Sequence, residues 1–222
     1  MTFLRTISRA FMSATQSRGA LIVIEGADRV GKTTRAAKLV ESLEANGFPV
    51  QSMKFPDRST SIGQVIDQYL RGEISLDDHA IHLLFSTNRW EVFPKMKALL
   101  ESGVSLVVDR YAYSGVAYSA AKPGMSLEWC KHSDEGLVAA DTVIYMTVSD
   151  EVAKTRPGFG DEIYEEQDFQ SKVKKNYDRL KNKSWVVLDG DVSSEKLDDE
   201  LLVISKKTIQ DAQDKPLSFL WS

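Results

Sequence analysis

The residues best suited to chemistry lie between Gly26 and Thr34. Gly26-x-x-x-x-Gly31-Lys32-Thr33 sets two glycines, an ammonium and a hydroxyl at the spacing of a phosphate-binding loop. Glycines let the backbone turn so that several N–H groups converge, and a helix starting at the end of the loop adds its positive pole. Lys32 could then bridge the β- and γ-phosphates of a nucleotide, and the Thr33 hydroxyl could ligate Mg²⁺. The loop interior, Ala27-Asp28-Arg29-Val30, carries an internal charge pair. Arg29 could sit over a γ-phosphate, while Asp28 could accept a hydrogen bond from a sugar hydroxyl. That combination suits transfer between two nucleotides.

Other candidates stand farther along the chain. Asp109 and Arg110 end an apolar run, Gly103 to Tyr111. An acidic residue there can hold Mg²⁺ or its waters, and an arginine beside it can neutralise transferring phosphate oxygens. The alternative for this pair is a buried Asp109–Arg110 ion pair. Arg58 follows another apolar run in the turn Phe55 to Thr60 and is placed for an anion, or else is a solvated surface charge. Phe85 and Arg89 are four residues apart and share one helix face, so they could stack on and hydrogen-bond a nucleobase. A core phenylalanine beside a surface arginine would leave the same pattern. His79 and His82 share that helix without a third ligand in sight and read as structural.

These residues need elements to carry them. Leu21 to Ile24 reads as a buried strand, and Arg35 to Glu44 as a helix. Further strands are expected at Pro49–Phe55, Gly103–Tyr111, Asp141–Val148 and Trp185–Gly190. Helices are expected at Ile62–Leu70, Asp77–Glu91, Ala112–Ala121, a Lys- and Gln-rich stretch to about Lys183, and Ser194–Asp211. Pro94 should kink the second of these or start a new helix running to Glu101. Arg156 to Glu165 mixes glycines with charges, as a lid would. The alternation predicts an α/β fold of the P-loop NTPase type: a doubly wound, five-stranded parallel sheet flanked by helices, with a short lid. Ligands of such sheets bind at the carboxyl ends of the strands.

Composition narrows the function classes. The 222 residues suffice for one α/β domain, and 42% hydrophobic with 27% charged residues is ordinary for a globular chain. No apolar run approaches the length of a membrane span, and the net charge of −4 argues against nucleic-acid binding through a general basic surface. A single cysteine, Cys130, excludes an internal disulfide and a Cys-based zinc site. It suits a reducing compartment, so a cytoplasmic protein, with a nuclear pool, is expected. Residues 1–18 form a separate segment: they contain Arg5, Arg9 and Arg18 and no acid, and they resemble a mitochondrial presequence that would supply a mitochondrial form; a disordered tail is the other reading. A Ras-type guanine motif is missing, because Asn182-Lys183 is followed by Ser184-Trp185.

Several motifs together resemble the thymidylate kinase family, most closely its eukaryotic form. They are Glu25 to Thr33, Phe55-Pro56-Asp57-Arg58, His82 to Glu91, Asp109 to Tyr118, Ser126 to Cys130, Phe159-Gly160, Tyr164-Glu165 and Leu220-Trp221, spread over residues 18–222. The resemblance implies a kinase domain over residues 19–222 that transfers the γ-phosphate of ATP, with Mg²⁺, to dTMP, with dUMP a weaker acceptor. It implies a homodimer acting on small nucleotides, without nucleic acid or membrane as partner. For ATP it implies Gly26, Arg29, Val30, Gly31, Lys32, Thr33, Thr34 and Arg156. For dTMP it implies Asp28, Phe55, Arg58, Phe85, Arg89, Arg110, Gly115, Tyr118, Ser119 and Tyr164. Phe85 would stack on thymine, Arg89 would bond its O4, and Tyr118 would crowd the ribose 2′ position. Lys32, Arg110, Asp109 and Arg29 would carry catalysis, with Thr33 ligating the metal and Asp109 holding it through water. One departure concerns the lid: Ile163 stands where family lids often carry arginine. Another pyrimidine monophosphate kinase, or a nucleotide-binding module without catalysis, are the competing readings.

Overall fold

The computed structural model describes residues 17–149, 152, 164 and 167–222. Five strands form one parallel sheet: β1 (Leu21–Glu25), β2 (Val50–Lys54), β3 (Ser105–Asp109), β4 (Thr142–Thr147) and β5 (Trp185–Asp189), in the order β2-β3-β1-β4-β5. Among the described residues, seven helices cover it: α1 (Lys32–Ala45), α2 (Ser61–Leu70), α3 (Asp78–Glu101), α4 (Ala112–Ser119), α5 (Leu127–His132), α6 (Gln167–Leu180) and α7 (Ser194–Ala212).

β1 is apolar along almost its whole length because both of its faces are covered. Leu21 and Val23 pack with Leu106, Val108, Met96, Val116 and Tyr177, on the side of α3, α4 and α6. Ile22 and Ile24 pack with Val107, Ile144, Leu39 and Leu201, on the side of α1 and α7. Buried parallel strands read as continuous apolar runs for this reason. The registers Ile24↔Asp109 and Lys54↔Asp109 bring the carboxyl ends of β1, β2 and β3 level, so their loops share one edge.

Three features differ from expectation. Of the two outcomes expected at Pro94, a new helix does not start: α3 is continuous from Asp78 to Glu101 with the proline inside it. Proline removes the bond to the carbonyl of Trp90, which lies on the exposed side where water can replace it. The short helix α5 is additional, capped by the Ser126 side chain accepting from the Trp129 amide. Arg18, assigned above to the N-terminal segment, belongs with the folded chain. It pairs with Asp141 at 2.6 Å and donates to the Lys215 carbonyl at 2.6 Å.

Candidate active site

The glycine loop leaves β1 and enters α1 as its spacing implies. Gly26 has φ 149°, and a Cβ there would stand 2.5 Å from the Met146 carbonyl oxygen, so no other residue fits. Gly31 precedes α1 in a left-handed conformation, and no side chain caps that helix start. Its first amides therefore form an anion cradle. Lys32 is buried and donates to the Ala27 carbonyl at 2.6 Å. Burial, reinforced by the nearby Arg110 guanidinium, pulls its ammonium down to about 7. Arg29, half-buried in the loop, holds φ 67°.

Asp109 and Arg110 form no pair with each other; each faces the loop. Arg110, at φ 66°, bonds Asp28 through Nη2. Tyr118 Oη donates to the other Asp28 oxygen at 2.8 Å. Asp28 is half-buried, which works against ionisation, yet Arg110 and then Lys32 hold its carboxyl below the usual range. Asp109 Oδ2 accepts from Thr33 Oγ1 at 2.5 Å, and Lys54 Nζ lies 3.2 Å from that hydroxyl. Asp109 Oδ1 is buried with no hydrogen-bond partner among the described residues. A hydroxyl and a carboxylate with a vacant oxygen are hard donors of the type Mg²⁺ takes, so the residues fit that ion. Among the described residues there is no group of three or more His, Cys, Asp or Glu that could hold a metal.

Beyond the loop opens a cavity of about 350 Å³. It is lined at one end by Lys32, Thr33, Thr34, Gly31, Arg29 and Asp28, and at the other by Phe85, Arg89, Gly115 and Ser119. Phe55, Arg58, Arg110, Tyr118 and Tyr164 complete the lining, Arg110 against Asp28 of the loop. Arg89 is buried rather than a surface residue: Nε and Nη2 donate to Asp134 at 2.9 and 2.6 Å. Its guanidinium packs on Gly115, where a Cβ would come within 2.8 Å of Nη2. Phe85 is half-buried beside it, and Arg58 is exposed with Asp67 as partner at 2.6 Å.

Of the residues singled out in the sequence, Gly26, Val30 and Asp109 support the loop without lining this cavity, and Arg156 lies outside the described residues, as does Ile163. Val30 and Gly31 instead border a second hollow of about 220 Å³ with Thr34, Arg35, Gly190 and Leu197. His82 is structural in the sense expected. Its Nε2 lies 3.0 Å from the Cys130 carbonyl, which can only accept, so Nε2 carries the proton and Nδ1 accepts from Ser119 Oγ at 2.8 Å. Burial lowers its pKa to about 4.

Residues not foreseen complete the site. Glu25, fully buried, accepts from the Tyr111 and Ser114 amides at 2.9 and 3.1 Å and from the Tyr177 hydroxyl at 2.9 Å. It thereby caps α4 just after Arg110. Gln170 Nε2 bonds both Asp28 Oδ2 and the Tyr164 carbonyl, each at 2.8 Å. Asp134 is the third. The position of Glu25, directly before the glycine loop, was a usable signal; Gln170 and Asp134 carry none in the sequence.

Comparison with known proteins agrees with this geometry. A family model described as Thymidylate kinase matches residues 24–201. The chain is 46% identical over 211 residues to a thymidylate kinase of Arabidopsis thaliana, covering 95% of this chain and 80% of that one. It is 45% identical to one of Danio rerio and 44% to one of Homo sapiens, each over 207 residues, covering 92% of this chain and 98% of the relative. A solved thymidylate kinase structure from Candida albicans superposes with a TM-score of 0.82 at 33% identity, covering 92% of this chain and 99% of that one. The loop, the parallel sheet and these relatives place the chain in the thymidylate kinase family, as an ATP-dependent P-loop kinase.

Proposed function

We propose that the protein transfers the γ-phosphate of ATP to the 5′-phosphate of dTMP, giving ADP and dTDP, with dUMP a slower acceptor. One observation carries this reading. A single cavity joins the phosphate loop at one end to an aromatic ring and a fixed guanidinium, Phe85 and Arg89, at the other. A donor phosphate and an acceptor base can therefore occupy it together.

The residues divide the work by charge. The loop amides and Lys32 take the donor phosphates, whose charge restores the ammonium that burial disfavours. Thr33 would ligate Mg²⁺ and Asp109 would hold its water, and the ion would supply charge neutralisation to the donor phosphates. Arg110, reaching the loop through Asp28, sits where both phosphates meet. Arg29 adds positive charge on the donor side; for Arg156 the ATP-binding role is the one the resemblance implies. Arg58 and Arg110 hold the acceptor phosphate, one of whose oxygens attacks the γ-phosphorus as the bond to the ADP oxygen breaks. Such transfer requires alignment and charge neutralisation and no covalent enzyme intermediate.

At the acceptor end, Phe85 stacks on the base and Arg89 donates to thymine O4. Cytosine presents an amine there and is refused. Tyr118, bonded to Asp28, crowds the 2′ position of the sugar, while Phe55, Ser119 and Tyr164 form walls. The hollow bordered by Val30, Arg35 and Gly190 would take the donor base. The test is product analysis after incubation with Mg²⁺, ATP and dTMP. Formation of dTDP in step with ADP, dependent on both nucleotides, is expected. ATP hydrolysis to phosphate without dTDP would refute the reading.

A further inference from the structure

Arg89 belongs to a polar stripe on one face of α3, buried at His82, Ser86 and Arg89 and reaching the surface at Trp90. His82, Ser86, Arg89 and Trp90 follow at helical spacing, and all four bond the short segment 130–134 that leaves α5. His82 Nε2 meets the Cys130 carbonyl and lies 3.1 Å from Ser133 Oγ. Ser86 Oγ reaches the Ser133 carbonyl and Asp134 Oδ1, both at 2.8 Å. Trp90 Nε1 donates to the Ser133 carbonyl at 2.7 Å. Asp134 is fully buried and receives the two Arg89 bonds already described.

The chemistry of this arrangement goes beyond holding two elements together. A guanidinium has five N–H donors in a fixed plane, and a bidentate carboxylate fixes that plane. With Nε and one Nη2 hydrogen committed to Asp134, Nη1 makes no bond among the described residues, and Arg89 lines the cavity. Gly115 closes the remaining side, so the plane has little room to tilt. Asp134 also cancels the arginine charge in a dry setting. A bare buried guanidinium would attract any anion, including a second phosphate; a neutralised one with a free edge favours a neutral carbonyl.

We infer that Asp134 is a positioning residue for acceptor choice: held by the α3 stripe, it orients and neutralises Arg89 so that the cavity takes a base with a carbonyl at that edge. This rests on the base-pocket reading of Phe85 and Arg89, and goes beyond it by placing specificity in a residue that never touches the substrate. Asp134→Asn keeps the shape but turns one acceptor into a donor facing the guanidinium, leaving a buried charge uncompensated.

The experiment measures kcat and KM for dTMP, dUMP and dCMP in wild type, Asp134→Asn, Arg89→Met and the double variant. For Asp134→Asn, kcat/KM with dTMP should fall by about tenfold to a hundredfold while the KM for ATP stays within about twofold. The dTMP-over-dCMP preference should shrink in parallel. Added to Arg89→Met, Asp134→Asn should change that preference by less than about twofold, because both act through one guanidinium. A folded Asp134→Asn with wild-type preference, or full additivity in the double variant, overturns the inference. Arg89→Met keeping wild-type preference would instead sink the base-pocket reading itself. Should Asp134→Asn fail to fold, Ser86→Ala removes only one support of Asp134. It should raise the dTMP KM by about twofold to fivefold, and an unchanged dTMP KM overturns the inference.

Discussion

Each end of the cavity contains an arginine paired with an aspartate, and the two pairs are built differently. Arg89 and Asp134 are 3% and 0% exposed, braced by Ser86 and Gly115. Arg110 and Asp28 are 20% and 21% exposed, and they join two loops, after β3 and after β1. Both non-glycine residues with positive φ in the site, Arg29 and Arg110, are at this second end. Left-handed backbone at such residues costs about 1–3 kcal/mol each and persists only where surrounding structure demands it. Lys32, held by a carbonyl, also belongs here. The base end is thus a finished socket, whereas the phosphate end holds cations on contacts that a phosphate can replace. On the function proposed, selection would use rigid neutral donors and phosphoryl transfer concentrated charge.

The comparison predicts unequal consequences. Breaking the phosphate end should stop chemistry: Lys32→Met or Arg110→Ala should lower kcat by about a thousandfold or more, with circular dichroism unchanged. Near-normal turnover in either variant would remove the charge argument. The base end should reveal itself in stability. The unfolded His82 side chain, with an ordinary pKa of 6.5, binds a proton that the folded form, at about 4, refuses. Stability should therefore fall as pH drops from about 6.5 toward 4, by up to about 3 kcal/mol from this group. Urea unfolding at stepped pH should show His82→Gln with a flatter profile in that window; parallel profiles would count against a neutral buried imidazole.

Smaller effects follow. Gly115→Ala must push the Arg89 guanidinium, so the dTMP KM should rise by about tenfold while the ATP KM holds. Equal rises in both would mean that the two ends are not separable. The thymine methyl adds only about 1–3 kcal/mol, so dUMP should be a real substrate with a lower kcat/KM. Parity of dUMP with dTMP would show that the socket does not feel the methyl.

Much of this was legible in the chain. β1 announces itself because both faces are buried, and the glycine loop because its spacing has few uses. Asp109 and Arg110 were visible at a strand end, but their partners were not. β3 ends at Asp109 and the chain turns left-handed at Arg110, so Arg110 bonds Asp28, 82 positions away, while Asp109 accepts from Thr33. Spacing alone favours a surface position for Arg89 because its partner Asp134 lies 45 positions on, and only the packing of α3 against the end of α5 brings them together.

The most direct test compares ADP release from ATP and Mg²⁺ with dTMP, dUMP, UMP and dCMP side by side. A clear preference for dTMP, with dUMP second and dCMP last, is the predicted result, because one socket fixes the base while another region performs the transfer. Preference for UMP or dCMP would leave the phosphate loop intact and contradict the roles given to Phe85, Arg89 and Tyr118.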